Sequence, residues 1–222
     1  MAKAPQHDAA GRRSSASQKR RHDILLAGKK VFFRQGYHLA SIDRVAEAAG
    51  TTKRTVYDHF GSKEGLLAEV VALASSQFAN SLPAADALPK EPGSGLRTFA
   101  AYLRELVSRP ETVRFHRLII GEAERRPEIA RAFYKTAFDG PERILTTYLE
   151  SCVAQRRLKP HDVAVSARII LDVAASDSRI RGLSGLRGAI DDRLGQRALD
   201  HVVNMLAGAL QLPRPSEERE GR

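Results

Sequence analysis

The chain has 222 residues, 42% of them apolar, enough for one large or two small packed domains. Lys and Arg number 36 against 26 Asp and Glu, a formal charge of +10, which favours an anionic partner. Cys152 is the single cysteine, so no disulfide can form within the chain, and a reducing, cytoplasmic compartment is expected. No apolar run approaches the roughly 18–20 residues of a membrane span, and the basic N-terminus lacks the apolar stretch of a signal peptide, so no membrane partner is expected.

Residues 1–20 are rich in Ala, Ser, Gln, Lys and Arg and hold no large apolar residue beyond Met1. They are expected to form a disordered basic arm, either a solvated tail or a strand of charge (Lys3, Arg12, Arg13, Lys19, Arg20) along phosphates. A first helix is expected over 21–35, with Ile24, Ala27, Val31 and Phe32 on one face and Gly36 as its stop. Ser41 is a natural N-cap for a second helix, with Asp43 in its first turn and Ile42, Val45, Ala46 and Ala49 on its apolar side. Gly50 ends it.

A short third helix follows at 52–58. Val56 and Phe60, four apart, turn inward and leave Lys53, Arg54, Thr55 and Asp58 outward. Ser62 is placed to cap a fourth helix over 63–81, whose stripe is Leu66, Leu67, Val70, Val71, Leu73 and Ala74. The region 21–68 therefore reads as a helix-turn-helix domain, with the fourth helix continuing as a connector. Charge agrees: residues 1–70 hold 13 Lys and Arg against 7 Asp and Glu, the rest 23 against 19.

Three prolines and two glycines in 82–95 mark a linker. Helices are expected at 96–108, ended by Pro110; at 111–125, ended by Pro127; at 128–156, with a possible break at Gly140-Pro141; at 161–181; and at 191–210. Gly182 to Gly188 reads as a loop, and 213–222 as a disordered tail. No strand or internal repeat is found. The fold class is all-α with about nine helices, in two domains, 21–68 and 96–212.

Ile24-Leu25, Phe32, Gly36-Tyr37, Ser41-Ile42, Val45-Ala46, Ala49-Gly50, Thr55-Val56-Tyr57, Phe60, Ser62-Lys63-Glu64 and Leu66-Leu67, at this spacing, resemble the TetR family of transcriptional regulators. The stretch from Arg117 to Ala130 is similar to the start of the C-terminal domain in multidrug-efflux-repressor-like members. The resemblance implies a homodimer on double-stranded DNA, paired through its last two helices, and a small-molecule effector that alters the spacing of two reading heads. The chain from the fourth to the sixth helix is the implied lever. It also implies a third helix in the major groove.

On that footing Lys53 and Arg54 are the candidates for guanine edges. Thr52 and Thr55 are candidates for a thymine methyl or a phosphate, and Ser41, Thr51, Tyr57, His59 and Lys63 for the phosphate backbone. Singly, each is as readily a solvated or packed residue. Asp58 departs from the pattern and would repel phosphate unless it pairs with Arg54, four residues earlier. Asp43, Ala40 and Gly28 also depart from it, and Gly28 weakens the first helix.

In the C-terminal region Phe99, Tyr102, Leu103, Phe115, Leu118, Ile119, Phe133, Phe138 and Tyr148 are candidates to line an apolar effector pocket, or else plain core. His116, Glu122 and Glu124 are possible polar members. The expected function is a ligand-responsive repressor that binds a palindromic operator and is released by an apolar effector. The alternatives are an effector-independent architectural or division-linked DNA binder, an activator, and, least favoured, an enzyme. No catalytic or metal motif is present and no cofactor is expected. Gly182-Leu-Ser-Gly185-Leu-Arg-Gly188 lacks the spacing and preceding strand of a dinucleotide loop.

Overall fold

Helix α1 spans His7–Leu39 because two different causes act along it. From Ile24 its apolar positions pack, with Ile24, Leu25, Ala27, Val31, Phe32 and Phe33 buried. Before that, residues 15–20 are exposed. Over residues 7–20 the chain is helical where a disordered arm is expected: Ala, Arg, Lys and Gln are good helix formers, and they extend a helix already nucleated downstream. Gly36, at φ +74°, kinks α1 in a region that only glycine enters readily. The computed structural model describes residues 7–186 and 193–210. The first six residues of the expected arm, part of the glycine-rich loop, the first residues of the ninth helix and the expected tail lie outside them.

The following helices are α2 (Ile42–Ala48), α3 (Lys53–Phe60), α4 (Lys63–Ala79), α5 (Pro92–Ser108), α6 (Pro110–Glu122), α7 (Pro127–Ala154), α8 (Val163–Ser184) and α9 (Arg193–Leu210). No strand occurs among the described residues. Two prolines expected to stop helices, and one expected in the linker, open helices instead. Pro92, Pro110 and Pro127 each stand at the first residue of a helix, where the missing N–H has no partner to lose.

The linker expected over 82–95 is accordingly shorter. A 3-10 turn occupies Ala85–Ala87, and the Glu91 carboxylate accepts from the Gly93 and Ser94 N–H groups to start α5. α7 runs on through Pro141, which leaves the Ala137 carbonyl without its helical donor. α8 is capped by the Asp162 carboxylate on Val165 N–H at 3.1 Å and closed by Gly185 in the left-handed region, so its last residue, Ser184, lies beyond the expected end at 181.

The helices group into two packing units. The first holds the chain to Ala74 together with Leu118–Ala130; the second holds Ser75–Arg117 and everything from Arg131. This differs from the expected division at the linker, which assigned 118–130 to the C-terminal domain. In the first unit the core is Ile24, Phe32, Val45, Val56, Leu66, Leu67 and Val70. Gly28 faces the Leu66 side chain so closely that a Cβ would lie 3.1 Å from it. The glycine that weakens α1 as an isolated helix thus lets α1 close on α4. In the second unit α5 packs on α8 and α9, around Phe99, Leu103, Leu145, Leu149, Ile170, Leu199 and Val203.

Candidate nucleic-acid interface

The α2–α3 turn is built from its caps. Ser41 Oγ accepts from Arg44 N–H at 3.3 Å and starts α2. Gly50, at φ +60°, reverses the chain, and Thr51 N–H closes the turn on the Ala46 carbonyl at 2.9 Å. Thr52 Oγ1 accepts from Thr55 N–H at 3.2 Å and sits 2.9 Å from Thr55 Oγ1, so both threonine hydroxyls are engaged at the N-terminus of α3. Val56 and Phe60 anchor α3 in the core. The opposite side is left in solvent, because residues 54, 57 and 58 lie away from the 56/60 stripe at helical spacing.

Lys53, Arg54, Tyr57 and Asp58 are exposed there, and Thr55 and His59 are half-buried. Arg54 and Asp58 do not pair, contrary to expectation: no ion pair joins them among the described residues. An Arg preceding an acid by four residues runs against the helix dipole, the less favourable order. Lys53 is instead the paired cation. Its Nζ lies 3.0 Å from Asp43 Oδ2 on α2, and that bond raises its pKa. Arg54 therefore stands free of an acid on the exposed face, while Lys53 is held toward α2. His59 lies beside the Phe60 ring, with centroids 6.3 Å apart.

Lys63 opens α4, next to the Ser62 hydroxyl that caps Gly65 N–H at 2.9 Å. Its ammonium lies 4.3 Å from the centroid of the Tyr37 ring, a favourable cation–π position, and burial lowers its pKa.

The surroundings of Tyr37 were not legible in the sequence. The Tyr37 hydroxyl donates to Glu64. Burial first, and this bond second, push the phenol up to about 12, while the same bond holds the Glu64 carboxyl below its usual range. The Arg126 guanidinium lies 4.1 Å from the Tyr37 centroid, pairs with Glu122 and reaches Glu64 Oε1 at 3.7 Å. His38 Nε2 is 3.2 Å from Glu122 Oε1. Tyr37 stood in the resemblance motif with no role attached, and nothing local in the chain announces that Arg126 faces Glu64.

The expected pocket residues separate. Phe99, Leu103 and Tyr148 belong to the second unit's packed core, and the Tyr148 hydroxyl is already bonded to the Pro89 carbonyl at 2.8 Å. Tyr102 is 48% exposed and lines no interior, because it falls off the α5 stripe formed by Phe99 and Leu103. Leu118, Ile119 and Glu122 are buried but fall in the first unit, and Glu124 is exposed. Phe115, Phe133 and His116 form an aromatic group; Phe138 is half-buried and stacks on Tyr134 at 4.5 Å. Among the described residues, no cluster of three or more His, Cys, Asp or Glu is placed to hold a metal ion. None of the described helices is long and apolar enough to cross a membrane.

Comparison with known proteins agrees with this geometry. A family profile described as "Bacterial regulatory proteins, tetR family" matches residues 24–70. A second, described as "AefR-like transcriptional repressor, C-terminal domain", matches 94–210. The chain is similar to the HTH-type transcriptional regulator AcrR of Shigella flexneri, at 26% identity over 160 residues, covering 68% of this chain and 74% of that protein. It is also similar to the HTH-type transcriptional activator FasR of Mycolicibacterium smegmatis, at 46% identity over 44 residues, which spans 20% of either chain. Among solved structures, the Flavonoid-responsive Regulator FrrA superposes with a TM-score of 0.69 at 25% identity, over 89% of this chain and 100% of that one. The chain belongs to the TetR family, and it is a DNA-binding transcriptional regulator.

Proposed function

We propose that the protein is an effector-responsive repressor that binds a palindromic operator as a homodimer and releases it when a small molecule is bound. The carrying observation is the exposed face of α3, where Arg54 stands beside Tyr57 without an acid partner among the described residues, with Lys63 at the start of the next helix. In this reading Arg54 reads a guanine edge, and Lys53 does so after exchanging Asp43 for the base. Ser41, Thr51, Thr52, Thr55, Tyr57, His59 and Lys63 position the phosphate backbone. Repression, rather than activation, is favoured by the repressor-type C-terminal domain matched over 94–210. FrrA is flavonoid-responsive by name, which supports response to a small molecule.

Pairing through α8 and α9 is supported by their exposed apolar residues. Val165, Ile169 and Ile180 on α8 and Met205 on α9 are all solvent-accessible. The three α8 residues fall within about 60° of one another around the helix, a stripe that a second copy would cover. A twofold dimer presents two reading helices and so requires half-sites about 34–36 Å apart or a multiple of it.

The lever of this reading is α6. Its residues to Arg117 belong to the second unit and its last turn to the first, where Glu122 is tied through Arg126 to Glu64 and Tyr37. An effector that binds the DNA-incompetent arrangement more tightly shifts the population away from the operator. Selection from a random DNA pool at fixed salt, followed by footprinting, tests the reading. A palindromic, protected site is the expected result; an asymmetric or sequence-independent footprint contradicts it. Derepression of the operator-controlled gene in a deletion strain separates repressor from activator.

A further inference from the structure

The second unit contains polar groups that the fold buries without satisfying. His116, on α6, is 5% exposed, and its Nε2 has no hydrogen-bond partner. It lies edge-on to Phe133 of α7, centroids 5.1 Å apart, and 6.1 Å from Phe78 of α4. Phe115 closes the group, 5.3 Å from Phe133 at 87°. Ser75, one helical turn before Phe78, is 4% exposed, and its hydroxyl is also unpartnered.

The third such group is a cation. Arg179 of α8 lies 4.9 Å from the Phe138 centroid, and its Nε is buried with no partner. No carboxylate among the described residues forms an ion pair with it. Asp172, whose field reaches it, is bonded to Arg168 at 3.2 Å instead. The Arg179 charge acts on His116 and, with burial as the larger cause, lowers that ring to about 4. At neutral pH, then, His116 is an uncharged imidazole near an uncompensated guanidinium.

Native interiors pair nearly all buried polar groups, and each unpaired one costs roughly 1–3 kcal/mol. His116 sits among aromatic rings and Arg179 against another, Phe138; unpaired groups of this kind oppose folding unless something else satisfies them. Aromatic walls with a few convergent polar groups are what a ligand site requires. The guanidinium sets the sign: its planar donors match a carboxylate or an ionised phenol and repel an ammonium.

We propose that this cluster anchors the effector and takes a small planar aromatic compound bearing an anionic oxygen, the ring among Phe78, Phe115 and Phe133 and the oxygen on Arg179, with His116 and Ser75 supplying the neutral hydrogen bonds. The proposal rests on the effector-responsive reading above and names the chemistry of its ligand.

The test uses the full-length protein with benzoate and naphthoate, their neutral carboxamides, and benzylammonium and naphthylmethylammonium, read by calorimetry and thermal shift. The carboxylates should bind about tenfold tighter than the carboxamides, and the ammonium compounds weakest. Arg179→Gln should bring carboxylate and carboxamide to equal affinity. Arg179→Lys should restore part of the preference, and far-UV circular dichroism reports whether each variant folds. Equal binding of all three classes, a preference for the ammonium compounds, a preference that survives Arg179→Gln, or no binding of any probe overturns the proposal. Operator release is measured in parallel. Arg179-dependent carboxylate binding without any change in operator affinity leaves the site standing and removes the effector-responsive reading. Release by some other compound, with no carboxylate binding, leaves that reading standing and removes this site.

Discussion

Two polar clusters, one in each unit, are built in opposite ways. In the first, Tyr37, Glu64, Arg126, Glu122 and His38 satisfy one another. In the second, Ser75, His116 and Arg179 carry buried atoms with no partner. A network whose members are paired holds helices in one arrangement. A set whose members are unpaired awaits something that pairs them. On the proposed reading, the paired set holds the reading head and the unpaired set takes the effector.

Breaking the paired network should give the largest effect. Arg126→Ala leaves the Glu122 carboxylate, 4% exposed in its side chain, with only His38 beside it. Loss of one partner of a buried pair should cost about 4 kcal/mol, measured by urea denaturation at fixed protein concentration, with Arg126→Lys recovering part of the loss.

The unpaired set should show itself through pH. An unfolded histidine takes up its proton below about 6.5, whereas folded His116 does so only below about 4. Between these values the unfolded chain binds more protons, so stability rises with pH. The folded state is at full strength above about 6.5 and loses about 3 kcal/mol as pH falls to about 4. His116→Leu should flatten that part of the stability–pH curve; an unchanged slope would show that His116 is not the group responsible.

Two smaller changes sharpen the contrast by their signs. Tyr37→Phe removes a donor to a half-solvated carboxylate and should destabilise by about 1 kcal/mol. Ser75→Ala removes an unpartnered hydroxyl from the middle of a helix and should stabilise the ligand-free protein, by up to about 1 kcal/mol. If both variants shift the denaturation midpoint in the same direction, the distinction between paired and unpaired sets fails.

What the chain discloses unaided follows the range of the forces. The caps at Ser41 and Ser62 and the inward pair Val56 and Phe60 act within one or two turns, and local sequence pattern reveals them. The prolines mislead because spacing alone does not distinguish the end of one helix from the first residue of the next; Pro92, Pro110 and Pro127 proved to be starts. The extension of α1 to His7 is hidden because burial, not propensity, carries the periodic signal. Lys53 with Asp43, and Arg126 with Glu64 and Tyr37, are pairings between helices, and no local pattern ties such partners together. The same holds for the proposed effector cluster. Phe115 and Phe133 were visible as aromatics, but only the folded chain sets them around His116, and only it separates them from Leu118 and Ile119.

The central claim is that α3 reads base edges while Lys63 grips the backbone, and paired binding isotherms test it most directly. Wild type, Arg54→Ala and Lys63→Ala are titrated with the selected operator and with single-base variants of it, across a salt series. Arg54→Ala should erase about 1–3 kcal/mol of discrimination at one base pair per half-site. Lys63→Ala should weaken all sequences alike and reduce the salt slope by about one per protomer. Uniform weakening by Arg54→Ala, or full wild-type discrimination in its absence, would contradict the account.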